Sequence, residues 1–139
     1  MRLSVHTMRL FLQIDISDWQ QRGYDKPLSR YAPSLASDLM AADVDSQSDA
    51  TVVELVIRLV DQAEKVFVLI YAQPEVPIGS CSKLFTHFFK TESKIDSIVL
   101  SGKNEMAEKM IRPFGEKLRT EQDSEKIKKL VEEFAKMKA

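Results

Sequence analysis

Polar side chains that could do chemistry follow several apolar segments of the sequence, where strands would end. They are Asp15 with Asp18, Gln73 with Glu75, the stretch Gly79–Ser82 and the stretch Ser101–Asn104. Paired carboxylates can hold a cation or share a proton. Backbone amides in a turn that opens a helix can bind an anion. The alternative is structural, because Asp, Ser, Asn and Gly also cap helices and form turns.

The spacing of apolar residues predicts a sheet that would bring these groups together. The segment Met8–Ile16 alternates apolar and polar residues, which indicates a strand toward a sheet edge. Val66–Tyr71 is continuously apolar, as in a central strand buried on both faces, and Ile95–Leu100 is a third strand. Met1–His6 could add a short edge strand. Helical patterns follow the later strands, so right-handed crossovers and one rim of strand ends are expected.

Between residues 17 and 48 the apolar periodicity fades, which predicts a long connection carrying Trp19, Tyr24 and Tyr31. One short helix is expected at Pro33–Ala42, where apolar residues have helical spacing. The aromatic residues either fix the connection to the domain or make it a functional flap.

Four further elements are predicted in the rest of the chain. A helix capped by Ser48 or Asp49 precedes the central strand, and the helix at 80–90 follows it, with Leu84, Phe85, Phe88 and Phe89 buried and a basic exposed side. A helix near Met106–Ile111 ends at Pro113 or Gly115. A weak edge strand near Leu118 and an amphipathic C-terminal helix complete the chain.

Length and composition set bounds on the class of protein. The 139 residues correspond to one domain, residues 1–139, and the 20 basic against 21 acidic residues give no field that would attract nucleic acid. One cysteine and two histidines cannot form a zinc site of recognised spacing. No apolar run approaches the roughly 20 residues that cross a bilayer. We expect a cytoplasmic protein without metal, membrane span or nucleic-acid partner.

Several enzyme templates do not fit the sequence. The four glycines stand alone, so there is neither a dinucleotide fingerprint nor a phosphate-binding Walker loop, and we expect no cofactor. A receiver domain would need an acceptor aspartate where the central strand ends in Tyr71, Ala72 and Gln73. Cys81 and His87 are six residues apart and would diverge on a helix, so Cys81 is expected in the core. We assign no catalytic residue.

The order of elements from Val66 to Ala139 resembles the sulfate-transporter and anti-sigma-factor-antagonist (STAS) domain and its small stand-alone bacterial relatives. The matching segments are VFVLIY, the GSCSKLF helix, IDSIVLSG with its helix, a weak strand and a closing helix. In that family a serine at the start of the helix after the central strand is a regulatory phosphorylation site. The resemblance implies Ser80 as that serine, or Ser82, although Gly79 stands where the family has an acidic residue.

The sequence therefore predicts a single α/β domain with a mixed four- or five-stranded sheet, a parallel core and helices packed on it. The leading hypothesis is a non-catalytic, STAS-like regulatory or protein-interaction domain that contacts another protein near helix 80–90, with a homodimer as a further option. One alternative is a binding domain for a small anionic or lipid-like ligand beneath the aromatic connection. Another is a small hydrolase-like enzyme that uses Asp15 and Asp18. The candidate residues for the contact or ligand rim are Asp15, Asp18, Lys83, His87, Ser101, Lys103 and Asn104.

Overall fold

Five parallel strands form one sheet in the order β2-β1-β3-β4-β5. The computed structural model describes residues 8–17 and 27–137. The strands are β1 (Arg9–Ile16), β2 (Leu39–Asp45), β3 (Lys65–Ala72), β4 (Ile95–Gly102) and β5 (Leu118–Thr120). The helices are α1 (Pro27–Tyr31), α2 (Ala50–Gln62), α3 (Cys81–Lys90), α4 (Glu105–Ile111) and α5 (Ser124–Lys136). Short 3-10 segments at Ala32–Ser34, Glu92–Lys94 and Arg112–Lys117 join some of them.

The prediction of a single α/β domain with a parallel core and packed helices is confirmed. All four strand pairings among the described residues are parallel, so no antiparallel member of the predicted mixed sheet lies among them. The possible edge strand at Met1–His6 lies outside the described residues. None of the helices in the described part of the chain is both long and apolar enough to cross a membrane.

Strand β3 occupies the centre of the sheet, as its unbroken apolar run predicts. The placement of β1 at an edge was wrong, because β1 lies between β2 and β3 and all eight of its residues are buried. The polar members of its alternation caused the error. Arg9, Gln13 and Asp15 are buried under helices with hydrogen-bond partners, so their polarity does not mark a solvent face.

The helix expected at Pro33–Ala42 was also wrong, since residues from Leu39 onward form β2. Its backbone pairs in parallel register with β1, from Arg9 opposite Leu39 to Asp15 opposite Asp45. Apolar residues at helical spacing did not outweigh this pairing, which satisfies the backbone polar groups along one side of the strand. The stretch 17–48 is therefore not one long connection, because it contains α1 and β2.

Helices α2, α3 and α4 cover one face of the sheet. Asp49 caps α2 by accepting a hydrogen bond of 3.0 Å from the Val52 amide, as the sequence predicts. Of the predicted apolar stripe on α3, Leu84, Phe85 and Phe88 are buried. Phe89 is instead 42% exposed and stacks on Phe114, so its assignment to the buried face was wrong.

Helices α1 and α5 cover the other face. Phe11 of β1, Phe67 of β3 and Phe134 of α5 pack in sequence there, with ring centroids 5.8 and 5.5 Å apart. Ile127 and Val131 of α5 extend the same apolar layer toward the carboxyl ends of the strands. These contacts fix α5 along the sheet next to α1.

A buried arginine, Arg9, anchors one end of this layer at the amino edge of the sheet. All five N–H groups of the Arg9 guanidinium have partners: two go to the Asp38 carboxylate at 2.7 and 2.8 Å, and three go to the carbonyls of Phe134, Met137 and Ala135 at 2.5, 2.9 and 3.0 Å. The hydrogen bond from Arg9 lowers the pKa of Asp38. Arg9 thus ties the start of β1 and the residue before β2 to the C-terminal end of α5.

Replacing this arginine tests how much the connection contributes. We expect Arg9→Met to lower the free energy of unfolding by about 3 kcal/mol, because it leaves the buried carbonyls of Phe134 and Ala135, the part-buried carbonyl of Met137 and the Asp38 carboxylate without their donor. Urea unfolding followed by circular dichroism measures the loss. Arg58→Met, on the exposed side of α2, is the control and should change stability by less than about 0.5 kcal/mol. Equal effects of the two variants would contradict the role given to Arg9.

Candidate functional site

The carboxyl ends of the strands bring most of the predicted polar groups to one edge. The amide of Ser46, just after β2, donates to the carbonyl of Asp15 at 2.9 Å, and the Ser80 amide donates to the carbonyl of Ser46 at 3.3 Å. The side-chain amide of Asn104 donates to the carbonyl of Gln73 at 3.0 Å. The rim predicted from the sequence therefore exists, but its polar groups largely bind one another.

Asn104 shows how the rim is used. Its Oδ1 accepts a hydrogen bond of 3.1 Å from the Ala107 amide, which caps α4. Its Nδ2 donates to the carbonyls of Gln73 and Val76 at 3.0 and 2.7 Å. The side chain is buried and joins the loop after β3 to the start of α4. Asn104, which the sequence predicted as a site residue, therefore has a structural role.

The neighbouring residues of this loop follow the same pattern. The Ser101 hydroxyl and the Gly102 amide both donate to Gln122 Oε1, at 3.4 and 2.8 Å. A Cβ atom on Gly102, whose φ is +96°, would lie 2.1 Å from the Ala72 carbonyl oxygen, so only glycine fits. Lys103 is exposed at the tip of the loop. These contacts join the end of β4 to β3 and to the segment that precedes α5.

Asp15 is buried, with 2% of its surface exposed, and accepts hydrogen bonds from Gln13 Nε2 at 3.1 and 3.3 Å. Its predicted companion Asp18 lies outside the described residues. In the sheet Asp15 is opposite Tyr71, which is opposite Ser101, so the Asp15 and Ser101 backbones are about 10 Å apart, two strand spacings. One reacting atom could not contact both residues, which weakens the hydrolase-like arrangement of Asp15 with the Ser101–Asn104 loop.

The turn at Gly79–Ser82 packs closely on the end of β2. Gly79 has φ +54°, and a Cβ atom there would lie 2.1 Å from the Ser46 carbonyl oxygen. That same oxygen accepts from the amide and the hydroxyl of Ser80, at 3.3 and 3.4 Å. The amides of Cys81 and Ser82 bond to carbonyls of their own turn. Three amides at the start of α3 are thus already satisfied within the chain.

These contacts describe the setting of the two predicted phosphorylation sites. Ser80 is half-buried and holds the Ser46 carbonyl, whereas Ser82 is exposed on the first turn of α3. The carboxylates of Asp45 and Asp15 are near enough to act on the adjacent Cys81 thiol. A phosphate on Ser80 would join this negative neighbourhood. Phosphorylation at either serine stays a prediction.

Lys83 and His87 lie away from the rim, on the side of α3 that faces α2. Lys83 pairs with Glu54, and His87 Nε2 lies 2.7 Å from Asp61 Oδ1. Both pairs are exposed and connect two neighbouring helices. The basic surface expected on α3 is therefore partly neutralised by α2, which lowers the charge offered to a partner.

A pocket that the sequence did not indicate lies on the opposite face of the sheet, between α1 and α5 at the carboxyl end of β3. It has a volume of about 370 Å³. Its walls are mainly apolar and come from the two helices and one strand. The lining residues in the described part of the chain are Pro27, Leu28, Tyr31, Tyr71, Ser124, Glu125 and Lys128.

Lys128 supplies a positive charge to the wall of this pocket. Its ammonium lies 4.9 Å from the centre of the Tyr31 ring, and no carboxylate among the described residues pairs with it. The Tyr31 hydroxyl donates to Glu132 Oε2 at 2.5 Å, and this hydrogen bond raises the pKa of Tyr31. Tyr31 and Lys128 are thus held together on α1 and α5, with the ammonium available at the pocket wall.

Sequence reasoning missed these residues for identifiable reasons. Lys128 belongs to a mixed Lys/Glu helix surface that is typical of a solvated face. Tyr71 ends the predicted strand Val66–Tyr71, whose other residues are all apolar and read as core. Tyr31 was singled out as one of three aromatics in the 17–48 stretch, and it does line the pocket. Trp19 and Tyr24 lie outside the described residues.

Comparison with known proteins adds little to this geometry. No protein-family model matches the sequence. No curated protein sequence matches it either. Among solved structures, a de novo designed Rossmann fold protein is similar, with 20% sequence identity and a TM-score of 0.38. That alignment covers 94% of this chain and 100% of the designed chain.

Metal binding and thiol chemistry can be compared with the structure directly. Within residues 8–17 and 27–137, no group of three or more His, Cys, Asp or Glu side chains is placed to hold a metal ion. Cys81 is fully buried, and burial, with smaller effects of Asp45 and Asp15, raises the pKa of its thiol to about 12. Its prediction as a core residue is confirmed.

The reactivity of Cys81 is a test of this burial. At a given neutral pH, a thiol pKa of about 12 instead of 9.0 gives about a thousandfold less thiolate. We expect Ellman's reagent to modify Cys81 only after unfolding in denaturant. The control is Ser82→Cys in a Cys81→Ala background, which places an exposed thiol one residue away and should react at once. Rapid modification of folded wild-type protein would contradict the buried position.

Proposed function

We propose that this chain is a binding domain for a small anionic or lipid-like ligand, held in the pocket between α1 and α5. The observation that carries the proposal is the position of this pocket, at the carboxyl end of the central strand and lined by both Tyr31 and Tyr71. The two tyrosines come from different elements, Tyr31 from α1 and Tyr71 from β3. The cavity is therefore formed by the tertiary fold and not by a local turn.

The strand order supports this location. Chain connections run outward from β1 to β2 and, in the other direction, from β3 to β4 and β5, so the order reverses between β1 and β3. In open parallel sheets, ligands bind outside the carboxyl ends of the strands at such a reversal. Tyr71 is the penultimate residue of β3, beside Asp15 of β1, and thus places the pocket wall at this point.

The lining supports an amphiphilic ligand. Pro27, Leu28 and the two tyrosine rings offer an apolar wall, while Lys128 offers one ammonium without a carboxylate partner among the described residues. Ligand sites commonly combine such apolar walls with a few polar groups that orient the ligand, and about 370 Å³ is within their usual range. A ligand with an apolar body and one anionic group would contact the apolar part of the wall and pair with the Lys128 ammonium.

Filling the pocket tests the proposal. The probe is anilinonaphthalene sulfonate, a fluorescent amphiphilic anion, titrated into folded protein. We expect Ser124→Tyr, which adds a ring at the pocket mouth, to weaken binding about tenfold or more by occupying the space. The matched control is Glu133→Tyr, on the exposed side of the same helix, and it should bind like wild type. If the wild-type protein binds no probe, or if Ser124→Tyr binds as well as Glu133→Tyr, the proposal fails.

A second candidate function is the STAS-like regulatory or protein-interaction domain expected from the sequence, acting in the cytoplasm through the surface of α3. One observation favours it: Phe89 of α3 is 42% exposed and stacks on Phe114 at a centroid distance of 5.1 Å. Aromatic residues, phenylalanine among them, are enriched in protein interfaces relative to the rest of the surface. A partner protein, or a second copy of the chain, would cover it.

The two proposed functions use different surfaces, the pocket between α1 and α5 for ligand binding and α3 for protein interaction. If α3 is the contact surface, Phe89→Glu should reduce capture of partner proteins, or shift a dimer to monomer in sedimentation, while Lys129→Glu on α5 should not. Circular dichroism confirms that both variants are folded. Unchanged partners and unchanged sedimentation for Phe89→Glu would remove the support that Phe89 gives to the interaction function.

A further inference from the structure

The charges around the pocket narrow the chemical class of its ligand. This step rests on the proposed function and goes beyond it. Lys128 is the ammonium in the pocket wall, while Glu125 also lines the pocket and Glu132 holds the nearby Tyr31 hydroxyl. Asp123 caps the first turn of the same helix through the Glu125 amide. Among the described residues, Lys128 and Glu125 are thus the charged groups that line the pocket, with Glu132 and Asp123 on the same helix.

This balance favours a single negative charge on the ligand. A monoanion such as a carboxylate can form a charge-assisted hydrogen bond with Lys128. A phosphate monoester carries between one and two charges at neutral pH. Its second charge would find no further cation among the described lining residues and would lie near Glu125, where like charges repel. A neutral ligand would leave Lys128 without an anionic partner.

The shape of the wall favours a ring system over an acyl chain. The part of α5 that lines the pocket runs from Ser124 to Lys128, five residues whose four steps span roughly 6 Å along the helix axis. A fused ring of that length contacts the wall over its whole extent, whereas an extended acyl chain would leave much of its length in water. The rings of Tyr31 and Tyr71 also provide aromatic surface for offset or edge-to-face contact.

We infer that the pocket between α1 and α5 binds a planar aromatic monoanion, such as an aromatic carboxylate, with its ring between Tyr31 and Tyr71 and its charge on Lys128. The narrower class excludes two readings that the proposed function leaves open, a lipid-like chain and a phosphorylated ligand.

Four probes that differ in one property each test this inference. They are naphthoate, the neutral naphthylmethanol, naphthyl phosphate and the aliphatic decanoate. Binding to the full chain is measured by nuclear magnetic resonance titration at pH 8, following the ring protons of the tyrosines. We expect naphthoate to bind about tenfold tighter than naphthylmethanol, the scale of one hydrogen bond to a charged group. Naphthoate should also bind tighter than decanoate, which lacks the rings, and than naphthyl phosphate, whose second charge is repelled by Glu125. Lowering the pH to about 5, below the second pKa of the phosphate, should tighten naphthyl phosphate.

Two variants separate the charge from the cavity. Lys128→Met should weaken naphthoate about tenfold and leave naphthylmethanol unchanged, while Lys129→Met, with the same change on the neighbouring residue, should leave both unchanged. Tighter binding of decanoate or of naphthyl phosphate at pH 8, or insensitivity of naphthoate to Lys128→Met, would overturn the inference while the pocket still binds. If none of the four probes shifts the tyrosine signals, the proposed function itself fails.

Discussion

The guanidinium of Arg9 is the interaction on which the arrangement of α5 depends. Its five N–H groups connect β1, the residue before β2 and three carbonyls at the end of α5. Burying this charge is tolerated because each donor has an acceptor and Asp38 supplies the opposite charge. With one end of the helix fixed at the amino edge of the sheet, the apolar layer of Phe11, Phe67 and Phe134 sets its direction.

The pocket lies at the other end of α5, far from the contacts with Arg9 that fix the position of the helix. Ser124 and Lys136 are twelve residues apart, so the first turn of α5 lies roughly 18 Å from the turn that Arg9 binds, near the carboxyl ends of the strands. In this half of the helix α5 meets α1, and Tyr31 contacts α5 twice, through a hydrogen bond to Glu132 and beneath the ammonium of Lys128. The cavity lies between α1 and α5, and contacts outside the cavity fix the position of α5. The polar rim on the other side of the edge, in contrast, is used for internal hydrogen bonds.

The parts of the fold that sequence could predict are those where local pattern and tertiary packing agree. The continuous apolar run of β3, the Asp49 cap of α2 and the stripe of Leu84, Phe85 and Phe88 required no knowledge of neighbours. The errors occurred where neighbours decide. The polar residues of β1 are paired beneath helices, and the strand that pairs with it, β2, has a sequence that also suits a helix.

For the candidate site, too, sequence could predict the features set by strand topology but not those set by contacts between distant side chains. Sequence placed Asp15, Ser80, Ser101 and Asn104 at one edge correctly, because the ends of parallel strands must meet there. It could not show that Asn104 and Gln122 would use their amides on backbone groups. Nor could it single out Lys128 among the lysines of α5, since only the position of Tyr31 on a distant helix distinguishes it.

The central claim is that a ligand occupies the space between Tyr31 and Tyr71, and the most direct measurement is the contact itself. Intermolecular nuclear Overhauser effects between naphthoate and isotope-labelled protein report protons within about 5 Å of each other, slightly more than a van der Waals contact. The structure predicts effects to the rings of Tyr31 and Tyr71 and to the side chain of Leu28. Effects confined to other surfaces, such as Phe89 on α3, would contradict it.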